Sequence, residues 1–331
     1  MKRRDILKTL GLLGISTFVS GCWSFINPKK KAEKKGLNMS SKKTYTVVSP
    51  QEKHWVGDGF YVSTLFSPHQ LDYKYTTPFI LMDHAAPREF APTERKLGVG
   101  THPHRGFETV TFAINGEIDH RDSGGGGGTI TTGGVQWMTA AKGVVHEEFH
   151  SRNFAKKGGL FEMVQLWVNL PAKDKMNNPR YQSMDKEDFA NVELASGIVA
   201  TIVAGKLKDA KGPAKTHTEM NIFEVNAKTP DKINLNFKEG SNLLILQLRG
   251  SSVMNGKSIS EGEMAVFERD GDQLDIDFTT ESKLLVLNGD PIDEPIVPYG
   301  PFVMNTKQEI MQAIDDFNAG KMGQLVEEAG S

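Results

Sequence analysis

The stretch Gly98-Val99-Gly100-Thr101-His102-Pro103-His104-Arg105-Gly106-Phe107-Glu108-Thr109-Val110-Thr111-Phe112-Ala113-Ile114, continued by Asn115-Gly116 and Glu117-Ile118-Asp119-His120, decides the fold class. A short run rich in β-branched and aromatic residues, closed by Asn-Gly and resumed by a second run, spells a tight hairpin rather than a helix. Side chains of a strand alternate between faces, so His102 and His104 point the same way and lie close enough to share one metal ion. Glu108, Val110, Phe112 and Ile114 have the same parity. A strand running through Arg105-Gly106 without a bulge sets the imidazole pair at one end of a barrel interior that turns apolar further in, which describes a pocket.

Outward from this hairpin, the chain from Tyr45 onward is mostly short runs of Val, Ile, Thr and Phe separated by Gly, Pro, Asn and Asp. That is the composition of a barrel or sandwich. Residues 242–250 and 283–289 are strands of a second block of the same character, so the expected fold is all-β with two barrels. The polar stretch from Asn169 to Arg180, with Pro171 and Pro179, marks the boundary between them. Thr306-x-x-Glu309 is a capping-box pattern, and Ile310, Ile314 and Phe317 form an apolar stripe, which predicts an amphipathic helix from Lys307 to Ala319 with Gly320 as its cap. The five glycines 124–128 satisfy loose phosphate-loop patterns, but no Lys-Ser/Thr and no helix follow, so they read as a mobile turn.

A second cluster, Gly143-Val144-Val145-His146-Glu147-Glu148, again places a histidine and a carboxylate, His146 and Glu148, on one face. Two such pairs brought together by a barrel supply three imidazoles and one carboxylate. With no thiolate, that set suits Fe(II), Mn(II), Ni(II), Cu(II) or Zn(II), and spacing does not choose among them. The same residues match H-E-x-x-H at His146-Glu147-Glu148-Phe149-His150, the zinc-peptidase signature. That motif requires a helix, which Gly143 and the β-branched Val144 and Val145 oppose, and it leaves His102 and His104 unexplained.

Composition sets the outer limits. The 331 residues suffice for two domains, and a formal charge of −2 with no long basic block in the globular part gives no support for nucleic-acid binding. The one basic run, Lys29 to Lys35, reads as a solvated linker. The N-terminus has a basic start and an apolar run from Ile6 to Val19 too short to span a membrane, the shape of an export signal. Arg3-Arg4-Asp5-Ile6-Leu7-Lys8 is similar to a twin-arginine signal, and Val19-Ser20-Gly21-Cys22 to a lipobox. The expected division is therefore a signal at 1–22, a flexible linker at 23–44, barrels at 45–172 and 173–300, and a helix and tail at 301–331. Export anchors the protein to a bacterial membrane through lipid on Cys22, the only cysteine; a start at Met39 makes it cytoplasmic instead.

His102 to Thr111, Val135 to Ala140, Gln165 to Met176 and Tyr299 to Thr306 resemble the signature stretches of the pirin family, in order, within a likeness running from Tyr45 to Gly323. The resemblance implies a bicupin with one divalent metal, iron by preference, in the first barrel, held by His102, His104, His146 and Glu148. It implies a C-terminal helix completing the packing and no metal in the second barrel, where His217 is the only imidazole. Glu147 departs from the small residue usual in the family, Thr132-Gly133-Gly134 replaces Pro-Gly-Asp, and the five glycines are unusual. Some bacterial pirins are similar to quercetin 2,3-dioxygenases. On that model the chain is a monomer acting on a small planar aromatic and O2, with Glu148 as base and Val110, Phe112 and Ile114 lining the slot. Other pirins imply a non-catalytic, iron-dependent sensor or regulator.

Overall fold

Strands apolar on both faces need cover on both sides. Phe107–Asn115, Asn242–Arg249 and Ser282–Gly289 are buried along nearly their whole length. The computed structural model, which describes residues 40–325, meets that need with two cupin barrels packed back to back. In the first, a seven-stranded sheet runs in the order Arg180–Met184, Val135–Thr139, Phe107–Asn115, Gly159–Asn169, Phe79–Phe90, Phe60–Phe66, His54–Val56. Its partner is a four-stranded sheet of Gly98–His104, Val144–His150, Ile118–Asp122 and Gly127–Ile130. The second barrel repeats the plan, with its own apolar interior around Ile202, Phe223, Ile245 and Ile276. The two seven-stranded sheets share the largest apolar cluster, in which Val110, Phe112 and Leu166 meet Leu244, Leu246 and Leu287. This is a sheet-on-sheet core that neither barrel could form alone.

The strand carrying His102 and His104 does not run on into Phe107. It ends at His104, and Gly106, at φ +87°, turns the chain from the four-stranded to the seven-stranded sheet. A Cβ on Gly106 would lie 2.1 Å from the Val303 carbonyl oxygen, so the corner requires glycine. The corner reverses the parity inferred for a straight strand. Val110, Phe112 and Ile114 face the second barrel and do not line the metal pocket; Thr109, Thr111 and Ala113 face the interior instead.

The ends of the chain also depart from a linear division. Thr44–Val48 pairs with Met264–Phe267 in the second barrel, and the Lys42 ammonium is buried on the carbonyls of Ser241 (3.0 Å), Glu268 (3.2 Å) and Arg269 (3.0 Å). Residues 40–44 are therefore a clasp rather than linker. Arg180–Met184 pairs with Val135–Thr139, so the first barrel extends past residue 172. The hairpin Val297–Tyr299/Phe302–Met304 and the helix Lys307–Asn318 pack on the first barrel through Val145, Ile310, Ala313 and Met322. Thr306 and Glu309 form the capping box as expected. The export signal and Cys22 lie outside the described residues.

Glu108 is fully buried on the inter-barrel face; its Oε1 accepts from Thr139 (2.6 Å) while Oε2 has no partner among the described residues. Burial pushes its carboxyl up to about 7, partly offset by Thr139 and by Arg180, whose guanidinium lies 3.9 Å away. The folded state thus holds a proton that the unfolded chain releases near its ordinary range, so stability falls as pH rises toward 7. Glu108→Gln is expected to raise stability by about 1–3 kcal/mol at pH 8 and to change it little near pH 4, measured by urea unfolding at both pH values.

Candidate metal centre

The two ligand strands are antiparallel neighbours, with His102 directly opposite His146. His104 is two residues along the same face, and the three rings converge: centroids lie 4.2 Å apart for His102 and His146, 4.8 Å for His104 and His146, and 4.9 Å for His102 and His104. A ring nitrogen facing a carbonyl must carry the proton. His102 Nδ1 donates to the Gly100 carbonyl (2.8 Å) and His104 Nδ1 to the Pro301 carbonyl (3.3 Å), which leaves both Nε2 atoms as lone-pair donors. His146 is completely buried and its Nε2 has no partner among the described residues. Burial, reinforced by the charge of neighbouring histidines, lowers His104 to about 3 and His146 well below its ordinary range, so both are neutral at pH 7. A buried, neutral imidazole whose Nε2 has no partner among the described residues, beside two oriented ones, is costly as it stands and is a donor set that suits a divalent cation.

Glu148 enters from the same strand after a register shift that sets it opposite Val99. It does not join the three imidazoles in one compact group. Two triads overlap at His146: His102, His104 and His146, and then His120, His146 and Glu148, with donor atoms within 4.8 Å in each. The Glu148 carboxylate accepts from Gln136, from Thr111 (3.2 Å) and from Gln165 (3.0 Å). Burial would raise its pKa, but His120, His102 and the Thr111 bond outweigh it, and the group is held below its usual range.

His120 was not among the residues singled out from sequence. It lies directly opposite Glu148 on the strand flanking the other side of Val144–His150. Its Nδ1 is 3.5 Å from His146 Nδ1 and 3.9 Å from Glu148 Oε1; its Nε2 meets Asp122 at 3.2 Å, and Tyr181 stacks on the ring at 4.9 Å. Asp122 also accepts from the backbone of Gly124 (2.7 Å) and Gly126 (3.0 Å), so the glycine run is a braced turn rather than a mobile one. The available signal was the spacing of His120 and Asp122, which puts both on one strand face.

With this geometry in view, two family models match the chain: Pirin over residues 62–168 and the pirin C-terminal cupin domain over 222–323. The chain belongs to the pirin family. A Pseudomonas aeruginosa protein provisionally named a quercetin 2,3-dioxygenase is 44% identical over 281 residues, spanning 85% of this chain and 98% of that one. A tomato (Solanum lycopersicum) pirin-like protein is 38% identical over 251 residues, spanning 74% of this chain and 82% of its own length. The crystal structure of a quercetin 2,3-dioxygenase from Acinetobacter baumannii, 48% identical, superposes with a TM-score of 0.84 over 87% of this chain and all of that chain.

In this pirin the H-E-x-x-H match falls on the strand Val144–His150, so His146 and His150 are not one helical turn apart. His150 Nε2 donates to the Gly59 carbonyl (3.0 Å) among Phe60, Phe90 and Phe161, and the peptidase reading fails on geometry. Glu147 faces outward. It accepts from Lys96 (2.9 Å), Arg121 (2.7 Å) and Thr101 (3.1 Å), which cancel its charge on the far side of the sheet. Glu147→Gln is accordingly expected to retain one bound metal per chain by elemental analysis, whereas His104→Ala loses it. A peptidase-type site would show the opposite indifference to His104.

Proposed function

We propose that this pirin is a metal-dependent dioxygenase that cleaves a flavonol such as quercetin, or a related planar aromatic, with O2. One divalent metal per chain, Fe(II) by preference, is held by His102, His104 and His146 with Glu148. The observation that carries the reading is the convergence of three imidazoles, two of them oriented by backbone carbonyls and the third with its Nε2 unpartnered among the described residues, with His102, only half-buried, at the edge of the barrel. His102, His104 and His146 with Glu148 would hold a divalent metal while leaving it able to take exogenous ligands, as catalytic sites need. The names of the Pseudomonas and Acinetobacter relatives support the substrate class.

The bound metal supplies a Lewis acid for a deprotonated substrate oxygen. The chain's own part is to take that proton and to hold the geometry. Glu148, ionised and adjacent to His146, is the acceptor; a proton arriving on one oxygen replaces a bond from Gln136, Thr111 or Gln165, so the carboxylate stays in place. Its net reaction consumes the flavonol and one O2 and releases a ring-opened ester and carbon monoxide.

One observation favours a second reading. Three donors and a lowered pKa make Glu148 a weak base and a good fixed ligand, as suits an iron-dependent sensor without turnover. Oxygen consumption separates the two. Protein lacking residues 1–39, loaded anaerobically with Fe(II), is expected to take up O2 with flavonols or catechols, and His104→Ala to abolish uptake. Metal demonstrably bound with no uptake would favour the sensor. Glu148→Gln is expected to keep most of its metal while kcat falls by about 100-fold or more; parallel loss of metal and turnover would make it a plain ligand.

We further infer export as a lipoprotein, on the strength of the twin-arginine-like and lipobox-like stretches ending at Cys22. The mass of the mature N-terminus tests it: a lipidated Cys22 is expected, and an unmodified start at Met39 would refute it.

A further inference from the structure

The inner face of the seven-stranded sheet carries a polar row that the three imidazoles do not account for. Reading across the strands, directly opposed residues share a face: Gln136 with Thr111, Thr111 with Gln165, Gln165 with Asp83, and Asp83 with Thr64. Two residues nearer the corner lies a second row on the same face, in which Thr109 opposes Trp167 and Trp167 opposes Leu81. The Glu148 end of the polar row is closed, since Gln136, Thr111 and Gln165 all bond one another or the Glu148 carboxylate. The other end is open.

Thr64, Leu81, Asp83, Gln165 and Trp167 are all half-buried although they face the barrel interior, and so is His102 on the opposite sheet. Inward-facing residues retain exposure only where the barrel gapes, so these six mark its mouth. Trp167 connects mouth to metal: its ring lies 5.2 Å from that of His104 and 4.3 Å from Phe107. Asp83 Oδ1 accepts from Thr64 (2.6 Å), and Oδ2 has no hydrogen-bond partner among the described residues. Burial pushes this carboxyl above its ordinary range, against the offsetting Thr64 bond and the nearby His54. A partly desolvated acceptor with one oxygen unused, on the wall that leads to the metal, is a place for a donor from outside.

We propose that Asp83 is a specificity-determining residue that accepts a hydrogen bond from a second phenolic hydroxyl of the substrate, remote from its metal-bound oxygen, while Trp167 forms the flat wall along which the ring system lies. The ligand class is a planar aromatic carrying at least two separated hydroxyl groups. This inference rests on the dioxygenase reading and sharpens it, because a site built to bond a hydroxyl rejects analogues that lack it. Asp83 bonds none of the metal-ligand side chains, so its role is separable from metal binding.

The test is anaerobic equilibrium binding to the full metal-loaded chain, followed by the absorbance shift of the flavonol. Quercetin, with hydroxyls on its pendant ring, is compared with 3-hydroxyflavone, which has only the chelating one. The wild type is expected to prefer quercetin by about tenfold or more. In Asp83→Asn, where the oxygen can stay with Thr64 and turn an NH2 group toward the mouth, that ratio is expected to fall to within about threefold of unity. Trp167→Leu is expected to weaken both ligands together. Metal content, measured on each variant, excludes loss of the centre as the cause. A preference that survives Asp83→Asn overturns the Asp83 assignment and leaves the dioxygenase reading standing. A wild type that binds neither flavonol removes both.

Discussion

The corner at Arg105-Gly106 is the constraint on which the rest of the first barrel depends. It separates His102 and His104, on one sheet, from Thr111 and the polar row, on the other, so that two sheets face each other across the metal centre. Four parts of the chain fix it. The Gly106 amide donates to the Ala141 carbonyl (2.8 Å), and its carbonyl accepts from the buried Lys175 ammonium (2.7 Å), which also reaches Asn169 and Val303. Arg105 donates through Nε to the Lys142 carbonyl (2.6 Å) and through Nη1 to Asp316 (2.9 Å) on the C-terminal helix. Removing one member of such a buried set leaves an uncompensated charge, which costs about 3–5 kcal/mol. The corner is therefore rigid, and the histidine pair inherits that rigidity.

The same interactions explain why the C-terminal segment lies on the first barrel rather than the second. Pro301 supplies the carbonyl that orients His104, and Phe302 pairs with Arg105 one residue away. On the other ligand strand, Val145 packs in the cluster of Ile310, Ala313 and Met322, and its amide is held by Ser123, whose hydroxyl donates to the Met322 carbonyl (2.6 Å). Each strand that carries an imidazole is thus braced by residues about two hundred positions further along the chain. The N-terminal clasp on the second barrel is the counterpart at the other end, with Lys42 as its anchor.

This long-range bracing marks the limit of what could be read from the chain. That His102 and His104 share a face of their strand, and that His146 and Glu148 share one of theirs, was legible because a period of two is local. The orientation of Val110, Phe112 and Ile114 was not, since one left-handed glycine at the corner reverses the parity of everything after it. His120 was obscured for a related reason: it meets Glu148 only through strand pairing, and its same-face spacing to Asp122 says nothing of that partner. The exchanged ends required knowing which barrel each short strand joins. Thr44–Val48 and Arg180–Met184 have ordinary strand composition and no local mark of their partner.

The alternation that made the same-face pairs legible also sorts the charges of the site. On the strand Val144–His150, His146, Glu148 and His150 face in and Glu147 faces out; on its neighbour, His120 and Asp122 face in and Arg121 faces out. Glu147 and Arg121 then neutralise each other on the outer surface, with Lys96 added. Inside lie three carboxylates: Glu148 and Asp122, which hold His120 between them and raise it above its ordinary range, and Asp83 at the mouth. A divalent ion bound at the imidazoles would offset Glu148, whereas among the described residues no Lys or Arg makes an ion pair with Asp83. Such a mouth repels aromatic acids and accepts neutral phenols that arrive with their protons. Deprotonation then belongs at the metal, where the positive charge is, and recognition by hydrogen bond belongs at Asp83, where it is not.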